Sequence, residues 1–232
     1  MALQRAKFRG EDSPDRFREV LHRLKRDGCN LLVTGEVSQS VTARATRTLL
    51  GAANVDRKRV LTLADGDQSV HDRLPKGVAP DASSVWVIGQ QADHRAVPSP
   101  VDEPADGDEP TPDEYRTHLA GLREEILSAI EYFEKDGLDP AELRLSVDSL
   151  DYLGHDHDEA SLAEFVRSVS EEVRDVRGMA HYHLRHPDDS ELVERLTPVV
   201  EARIELRKRE GLPAEQRWHV PEYGQATEWV QL

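Results

Sequence analysis

Short apolar runs along this chain alternate with longer segments whose apolar residues recur at helical spacing. The apolar runs predict strands over 31–33, 59–64, 83–89, 143–150, 178–184 and 199–207. The periodic segments predict helices over 13–28, 40–51, 111–135, 159–176 and 189–197. Because strands alternate with helices, we expect an α/β fold of three layers, with a mostly parallel central sheet flanked by helices.

Two of the extended regions carry further information. Residues 83–89 (SSVWVIG) form an almost unbroken apolar run, which is typical of a strand buried on both faces. The end of the chain, RWHVPEYGQATEWVQL, places Tyr223 and Gly224 between two extended tracts. That arrangement predicts a C-terminal β-hairpin whose aromatic residues pack on the edge of the sheet.

The length of 232 residues suits one domain that buries a substantial core. We expect a flexible leader over 1–12 and a single domain over 13–232. The segment 92–112 (ADHRAVPSPVDEPADGDEPTP) is rich in proline and aspartate and has few side chains that could pack. We therefore expect it to be a flexible acidic insertion in that domain.

The first strand leads into the segment with the clearest functional signal. Residues 30–50 (NLLVTGEVSQSVTARATRTLL) have the strand–turn–helix layout of a phosphate-binding loop, G-x-x-x-x-G-K-[ST]. Gly35 occupies the first glycine position and Thr42 the last hydroxyl, but Ser40 replaces the second glycine and Val41 replaces the lysine. Because that lysine neutralises phosphate oxygens, the loop has the frame of a nucleotide site without its main charge.

Three interpretations of the loop remain open: an ordinary strand–turn–helix connection, residual binding of a nucleotide or anion, and competent hydrolysis. Asp148 ends a predicted strand, as the Mg²⁺-coordinating carboxylate of phosphate-loop ATPases does, although aspartate also ends strands as a turn residue. Gly35 and Asp148 should share the carboxyl edge of the sheet, where such folds bind ligands. Arg44 and Arg47, on the helix that follows, are candidates to replace the lysine.

Histidines form a second candidate site. His181 and His183 alternate along a predicted strand and therefore project to one face, as metal ligands can. His155 and His157 follow the end of the 143–150 strand, so the two pairs could converge on a metal ion. The competing interpretation is an exposed acidic turn and a polar strand end.

Composition narrows the range of partners. The chain has 45 acidic and 30 basic residues, a formal net charge of -15, which argues against nucleic acid or an anionic membrane as the main partner. This acidity, with few lysines and few aromatic residues, indicates adaptation to high cytoplasmic salt. No signal peptide is recognisable and no apolar run approaches the roughly 20 residues needed to span a bilayer. We therefore expect a soluble, cytoplasmic protein.

Cys29 is the only cysteine, so the chain has neither an internal disulfide nor a cysteine-rich metal site. It lies just before a predicted strand. We expect it to be a buried small side chain rather than a nucleophile.

Several of these segments resemble one family. The segments LLVTGEVSQSVTARATRTLLG, LRLSVDSLDYL, VRGMAHYHL and the ending VEARIELRKREG…RWHVPEYGQATEWVQL are similar to those of haloarchaeal HTR-like proteins, uncharacterised relatives of the KaiC-type ATPases in the RecA superfamily. The resemblance covers about 15–232 apart from the acidic insertion. It implies a RecA-like core with a degenerate Walker A loop, in which the vestigial nucleotide-binding residues are Gly35, Ser38, Ser40, Thr42 and Asp148.

The resemblance carries no established activity. Ser40 and Val41 depart from the superfamily pattern, and Asp65 and Asp67 stand where a catalytic glutamate would be sought. We therefore expect no catalytic residue and no bound cofactor, and a regulatory or signalling module that acts through an unidentified protein partner, with self-association an open question. The alternative is a divergent Mg²⁺-dependent nucleotide-binding protein or ATPase in which Thr42 and Asp148 bind Mg²⁺ with ATP.

Overall fold

A computed structural model describes residues 14–63, 69–89, 112–155, 157–221, 224 and 226–232. The predicted leader and nearly all of the predicted insertion lie outside these residues, as do Asp65, Asp67 and Tyr223. No helix in the described ranges is long and apolar enough to cross a membrane.

Strands and helices alternate along the chain close to their predicted positions. The strands are β1 (Cys29–Thr34), β2 (Lys58–Leu63), β3 (Val85–Gly89), β4 (Leu143–Asp148), β5 (Met179–Leu184), β6 (Ala202–Arg207), β7 (Glu215–His219) and β8 (Val230–Gln231). The helices are α1 (Pro14–Asp27), α2 (Gln39–Leu49), α3 (Val70–Arg73), α4 (Pro112–Glu134), α5 (Leu150–His155), α6 (Glu159–Asp175) and α7 (Glu191–Leu196). A 3-10 turn, Thr197–Val199, follows α7.

All the strands belong to one sheet, in the order β3-β2-β4-β5-β1-β6-β7-β8. The strands from β1 to β6 pair with one another in parallel. β7 and β8 continue the sheet as an antiparallel hairpin. The predicted α/β fold, with its mostly parallel sheet and C-terminal hairpin, is therefore confirmed.

Helices cover both faces of this sheet. On one face, Leu31 and Val33 of β1 join Phe17 of α1 and Val41 of α2 in an apolar cluster. On the other, Leu32 and its neighbours pack against α4, α5, α6 and α7. Since successive strand residues point to opposite faces, the uninterrupted apolar run of β1 contributes side chains to the apolar clusters on both faces of the sheet.

The prediction that 83–89 is buried on both faces is wrong. β3 lies at the end of the sheet order, and Val85, Trp86 and Val87 are only half-buried. Trp86 packs beside Tyr132 and Phe133 of α4, with ring centroids 5.3 Å and 6.5 Å from its own. An apolar run indicates that its side chains are covered by other residues. It does not distinguish a central strand from an edge strand, because a packed helix can cover the apolar side chains of either.

The sequence pattern does not predict α3 or α5. These helices have only 4 and 6 residues, which is too short to display a helical period. α5 lies between Asp148, the end of β4, and His157.

Candidate functional site

Gly35 and Asp148 lie at the same edge of the sheet, as predicted. Gly35 directly follows β1, Asp148 is the last residue of β4, and β5 is the one strand between them. These three strands are parallel, so their carboxyl ends meet at one edge, where α/β folds bind ligands.

The glycine at position 35 is required by the protein's own backbone. Gly35 has a φ of +115°, and a Cβ added there would lie 2.1 Å from the carbonyl oxygen of Leu206 in β6. Its N–H donates to the carbonyl of His186 at 2.8 Å. In a phosphate loop such N–H groups face the nucleotide, whereas this one is bonded to another segment of the chain.

The remaining pattern positions lie at the start of α2, which begins at Gln39. Val41, which replaces the lysine, is 7% exposed and belongs to the apolar cluster under α1 and α2. Thr42 is buried and donates its hydroxyl to the carbonyl of Gln39 at 2.9 Å. Ser38 and Ser40 are exposed, with their hydroxyl oxygens 2.9 Å apart. Position 41 therefore contributes to the core, and the Thr42 hydroxyl is bonded to its own helix.

The two arginines considered as substitutes for the lysine have other surroundings. Arg47 donates a short hydrogen bond to the carbonyl of Asp72 in α3. Arg44 is exposed.

Asp148 forms a buried ion pair with Arg73. Arg73 Nε lies 2.8 Å from Asp148 Oδ2, and each side chain is 2% exposed. Arg73 ends α3, and the next residue, Leu74, packs in a small apolar cluster with Leu50 and Leu61. That cluster packs α3 against β2, the neighbour of β4 in the sheet. A Mg²⁺ ion at Asp148 would have to compete with a guanidinium that the fold already holds there.

His181 and His183 project to the same face of β5, as predicted, and both are buried. Their ring centroids are 5.4 Å apart, and His183 Nε2 lies 2.8 Å from the hydroxyl of Thr46 in α2. Burial is the main cause that lowers the pKa of each histidine; His183 lowers that of His181 further, and Asp148 opposes the shift at His183 without reversing it. Both rings are therefore neutral near pH 7.

This buried cluster keeps unused hydrogen-bonding capacity. Among the described residues, the buried atoms without a hydrogen-bond partner include five in or next to this cluster: Arg73 Nη2, Ser146 Oγ, Ser149 Oγ, His181 Nε2 and His183 Nδ1. Since buried polar groups are normally paired, these atoms could bond polar groups of a ligand or ordered water.

Metal-ligand geometry occurs elsewhere, at residues that sequence reasoning missed. Among the residues that the structure describes, the one group of three ligand-type side chains with atoms within 4.8 Å of one another is Asp188, Glu205 and His219. His181 and His183 do not belong to it, and the side chain of His155 lies outside the described residues. The three residues come from separate segments, so no local spacing could have revealed the group.

Arginines already balance this second group. Arg203 Nη2 lies 2.9 Å from Asp188 Oδ2, and Arg217 Nε lies 2.5 Å from Glu205 Oε2. Burial disfavours the charge of both carboxylates, but hydrogen bonds, chiefly from Arg203 at Asp188 and from His219 at Glu205, outweigh it, so the pKa of each is lowered. The arrangement is an ion-pair network across the β6–β7 edge, where a metal ion would be a competitor.

A family model matches residues 28–206, more than three quarters of the chain. Its description is a family of unknown function, DUF7504. The chain belongs to the DUF7504 family. No protein of curated function matches the sequence.

The DUF7504 match coincides with the parallel part of the fold. It begins at Gly28, immediately before β1, and ends at Leu206 in β6. The loop at Gly35 and the Asp148–Arg73 pair therefore lie in the DUF7504 core, whereas α1, β7 and β8 lie outside the match.

Proposed function

We propose that this DUF7504 protein is a catalytically degenerate RecA/KaiC-like module that regulates other proteins by binding them and does not hydrolyse a nucleotide. The observation that carries the proposal is the buried ion pair between Asp148 and Arg73, at 2.8 Å. The carboxylate best placed to hold Mg²⁺ is neutralised by an internal guanidinium. Breaking such a pair leaves an uncompensated buried charge, which is strongly unfavourable.

The loop supports the same proposal. Val41 belongs to the apolar core, and the Gly35 N–H is bonded to the His186 carbonyl. A phosphate at this loop would meet neither a lysine ammonium nor that N–H. Removing one such electrostatic contact typically reduces the rate of an enzyme by about 10²- to 10³-fold, and this loop lacks more than one.

The β3 edge supplies a surface suited to a protein partner. Tyr132 is 50% exposed and its ring lies 5.3 Å from that of Trp86. Aromatic residues are enriched in protein interfaces because they contribute a large apolar area with few rotatable bonds. We assign the partner-binding role to this aromatic pair.

Calorimetric titration with ATP and Mg²⁺ tests the absence of a working nucleotide site. We expect no saturable binding up to about 1 mM ATP, in low salt and in molar KCl. Micromolar, Mg²⁺-dependent binding that Thr42→Ala or Asp148→Asn abolishes would contradict the proposal.

Chemical cross-linking in the native extract at high salt tests the partner-binding surface. Wild-type protein should form defined cross-linked species that Tyr132→Glu removes. Tyr152→Glu is the matched control, because Tyr152 is 39% exposed but lies on α5. Equal loss with both variants, or with neither, would reject the β3 edge as the surface.

The second candidate is a divergent Mg²⁺-dependent nucleotide-binding protein that uses Thr42 and Asp148. The specific observation in its favour is the set of buried polar atoms without partners beside Asp148, such as Arg73 Nη2 and Ser149 Oγ in the described residues. In that case Arg73 would release Asp148 when the ligand arrives. The titration with ATP and Mg²⁺ separates the two candidates.

A further inference from the structure

The amino edge of the sheet contains a cavity of about 220 Å³, lined by residues of α1 and α2, the sheet and the 51–57 segment. Cys29 and Met179, which line it, are the first residues of β1 and β5. It therefore lies at the opposite end of the parallel strands from Gly35 and Asp148. Its walls are mainly apolar and include Leu21, Leu31 and Trp218.

Of the described residues that line this cavity, three are cations, Lys25, Arg57 and Arg144, and none is a carboxylate. Among the described residues none of the three forms an ion pair, although the whole chain carries a formal net charge of -15. The acidic side chain that contributes to raising the Cys29 pKa is Glu201, and its carboxylate is bonded to Arg174 and Asn30. The local charge is therefore the reverse of the overall charge.

Backbone carbonyls hold the most buried of these cations in place. Arg144 donates from Nε to the Ala141 carbonyl at 2.9 Å and from Nη1 to the Leu49 carbonyl at 3.2 Å. Leu49 is the last residue of α2, where the helix dipole favours a positive charge. Burial and then Arg57 lower the Arg144 pKa to about 10, so the guanidinium stays charged near pH 7.

Lys25, on the partly exposed side of the cavity, is repelled by the other two cations. Burial lowers its pKa, and Arg144 and Arg57 lower it further. The three positive charges thus act on one another across a shared space. A negatively charged group in that space would remove the repulsion.

We propose that this cavity binds a small organic anion with a carboxylate head and an apolar tail. The carboxylate would lie among Lys25, Arg57 and Arg144, and the tail would lie against Leu31 and the other apolar walls. The volume corresponds to about seven water molecules at about 30 Å³ each, which suits a ligand of about six to ten non-hydrogen atoms. This ligand site is independent of the proposed loss of nucleotide binding, because neither Gly35 nor Asp148 lines it.

Binding at this site is reversible and non-covalent. Cys29 is the one thiol in the wall, and burial raises its pKa to about 12. The thiol therefore stays protonated near pH 7, and the reactive thiolate is absent.

Calorimetric titration of the intact protein tests the site, with octanoate, 1-octanol and inorganic phosphate as probes. We expect one saturable octanoate site, and affinities for octanol and phosphate at least tenfold lower. Lys25→Gln and Arg57→Gln should each weaken octanoate binding at least fivefold. Lys58→Gln is the matched control: Lys58 is adjacent to Arg57 but lies 3.8 Å from Glu142 and outside the cavity wall.

Four outcomes would overturn the proposal. The first is no saturable octanoate binding by protein whose circular dichroism shows it to be folded. Equal affinities for octanol and octanoate would remove the role of the cations. Equal affinities for phosphate and octanoate would indicate an adventitious ion only. The same weakening in Lys58→Gln as in Arg57→Gln would show that overall charge, and not this cavity, attracts the anion.

Discussion

Charged side chains form ion pairs at the carboxyl end of the parallel strands, whereas at the amino end cations lie together. At the carboxyl edge, Asp148 is bonded to Arg73 at 2.8 Å, and Asp188 to Arg203 at 2.9 Å. At the amino edge, Arg144 and Lys25 face a cavity whose wall, in the described part of the chain, includes no carboxylate. The edge that resembles a nucleotide site has satisfied its charges internally, whereas the edge without a recognisable motif retains unbalanced charge.

A segment can keep the sequence pattern of a binding motif although its polar groups are already bonded within the chain. The loop at Gly35 preserves the order strand, turn and helix, but its N–H and the Asp148 carboxylate are bonded within the chain. An external ligand gains little from groups that already have partners. Unbalanced cations beside an apolar wall are a better indication of where a ligand binds.

The largest expected effect comes from breaking the paired edge. Arg73→Met should lower the free energy of unfolding by about 3–5 kcal/mol, because Asp148 is left buried without its partner. Urea denaturation followed by circular dichroism measures this. The double variant Arg73→Met/Asp148→Asn should recover at least half of the loss. A cost below about 1 kcal/mol for the single variant would show that the pair behaves like one exposed to solvent.

A Cβ at the loop glycine should cost about 3 kcal/mol. In Gly35→Ala the new carbon would meet the Leu206 carbonyl oxygen at 2.1 Å, and the backbone would also be strained at a φ of +115°. Gly211→Ala is the control: φ is +68° but a Cβ there meets nothing within 4 Å, so it should cost about 1 kcal/mol. The same urea titration compares them. Equal costs would mean that conformational strain alone, and not contact with β6, demands the glycine.

The buried histidines predict a loss of stability in acid. Burial lowers the pKa of His181 and His183. Below about pH 6.5 these histidines therefore become protonated in the unfolded chain while they stay neutral in the folded protein. The free energy of unfolding should therefore fall as the pH drops from 7 to 5, by up to about 1.4 kcal/mol per pH unit for each histidine. Above about pH 7 both states are neutral and this contribution is constant.

Urea midpoints measured across pH 5–8 test this slope. His181→Gln should make the decline shallower. The control variant is His22→Gln, which removes a histidine that is exposed in the folded protein. A decline that is the same in all three proteins would assign the acid sensitivity to other groups.

The smallest effect should come from removing a cation at the unpaired edge. Lys25 is partly exposed and is repelled by Arg144 and Arg57, so Lys25→Met should change the free energy of unfolding by no more than about 0.5 kcal/mol, in the stabilising direction, because solvent screens much of the repulsion. Urea denaturation of Lys25→Met, compared with that of Arg73→Met, measures the change in the free energy of unfolding. A loss of more than about 1 kcal/mol would indicate that Lys25 has a stabilising partner.

Most of the fold was predictable because its signals are local. The predicted helix 159–176 is Glu159–Asp175, and the predicted strand 178–184 is Met179–Leu184. Each follows from apolar periodicity within a few turns of chain. The shared edge of Gly35 and Asp148 was predictable too, because parallel strands end on the same side. The edge position of β3 was not, since an apolar run does not specify strand order.

The sequence by itself determined most of the elements, the layered class of fold and the position of the loop at Gly35. Only the tertiary structure decided what those residues contact. Arg73 reaches Asp148 from a four-residue helix 75 positions away. Arg57, just before β2, and Arg144, near the start of β4, line the same cavity although they are far apart in the sequence. Periodicity records which side chains are buried. The contacts between buried charged side chains depend on the order of the strands and the placement of the helices. The packing of the whole chain sets both.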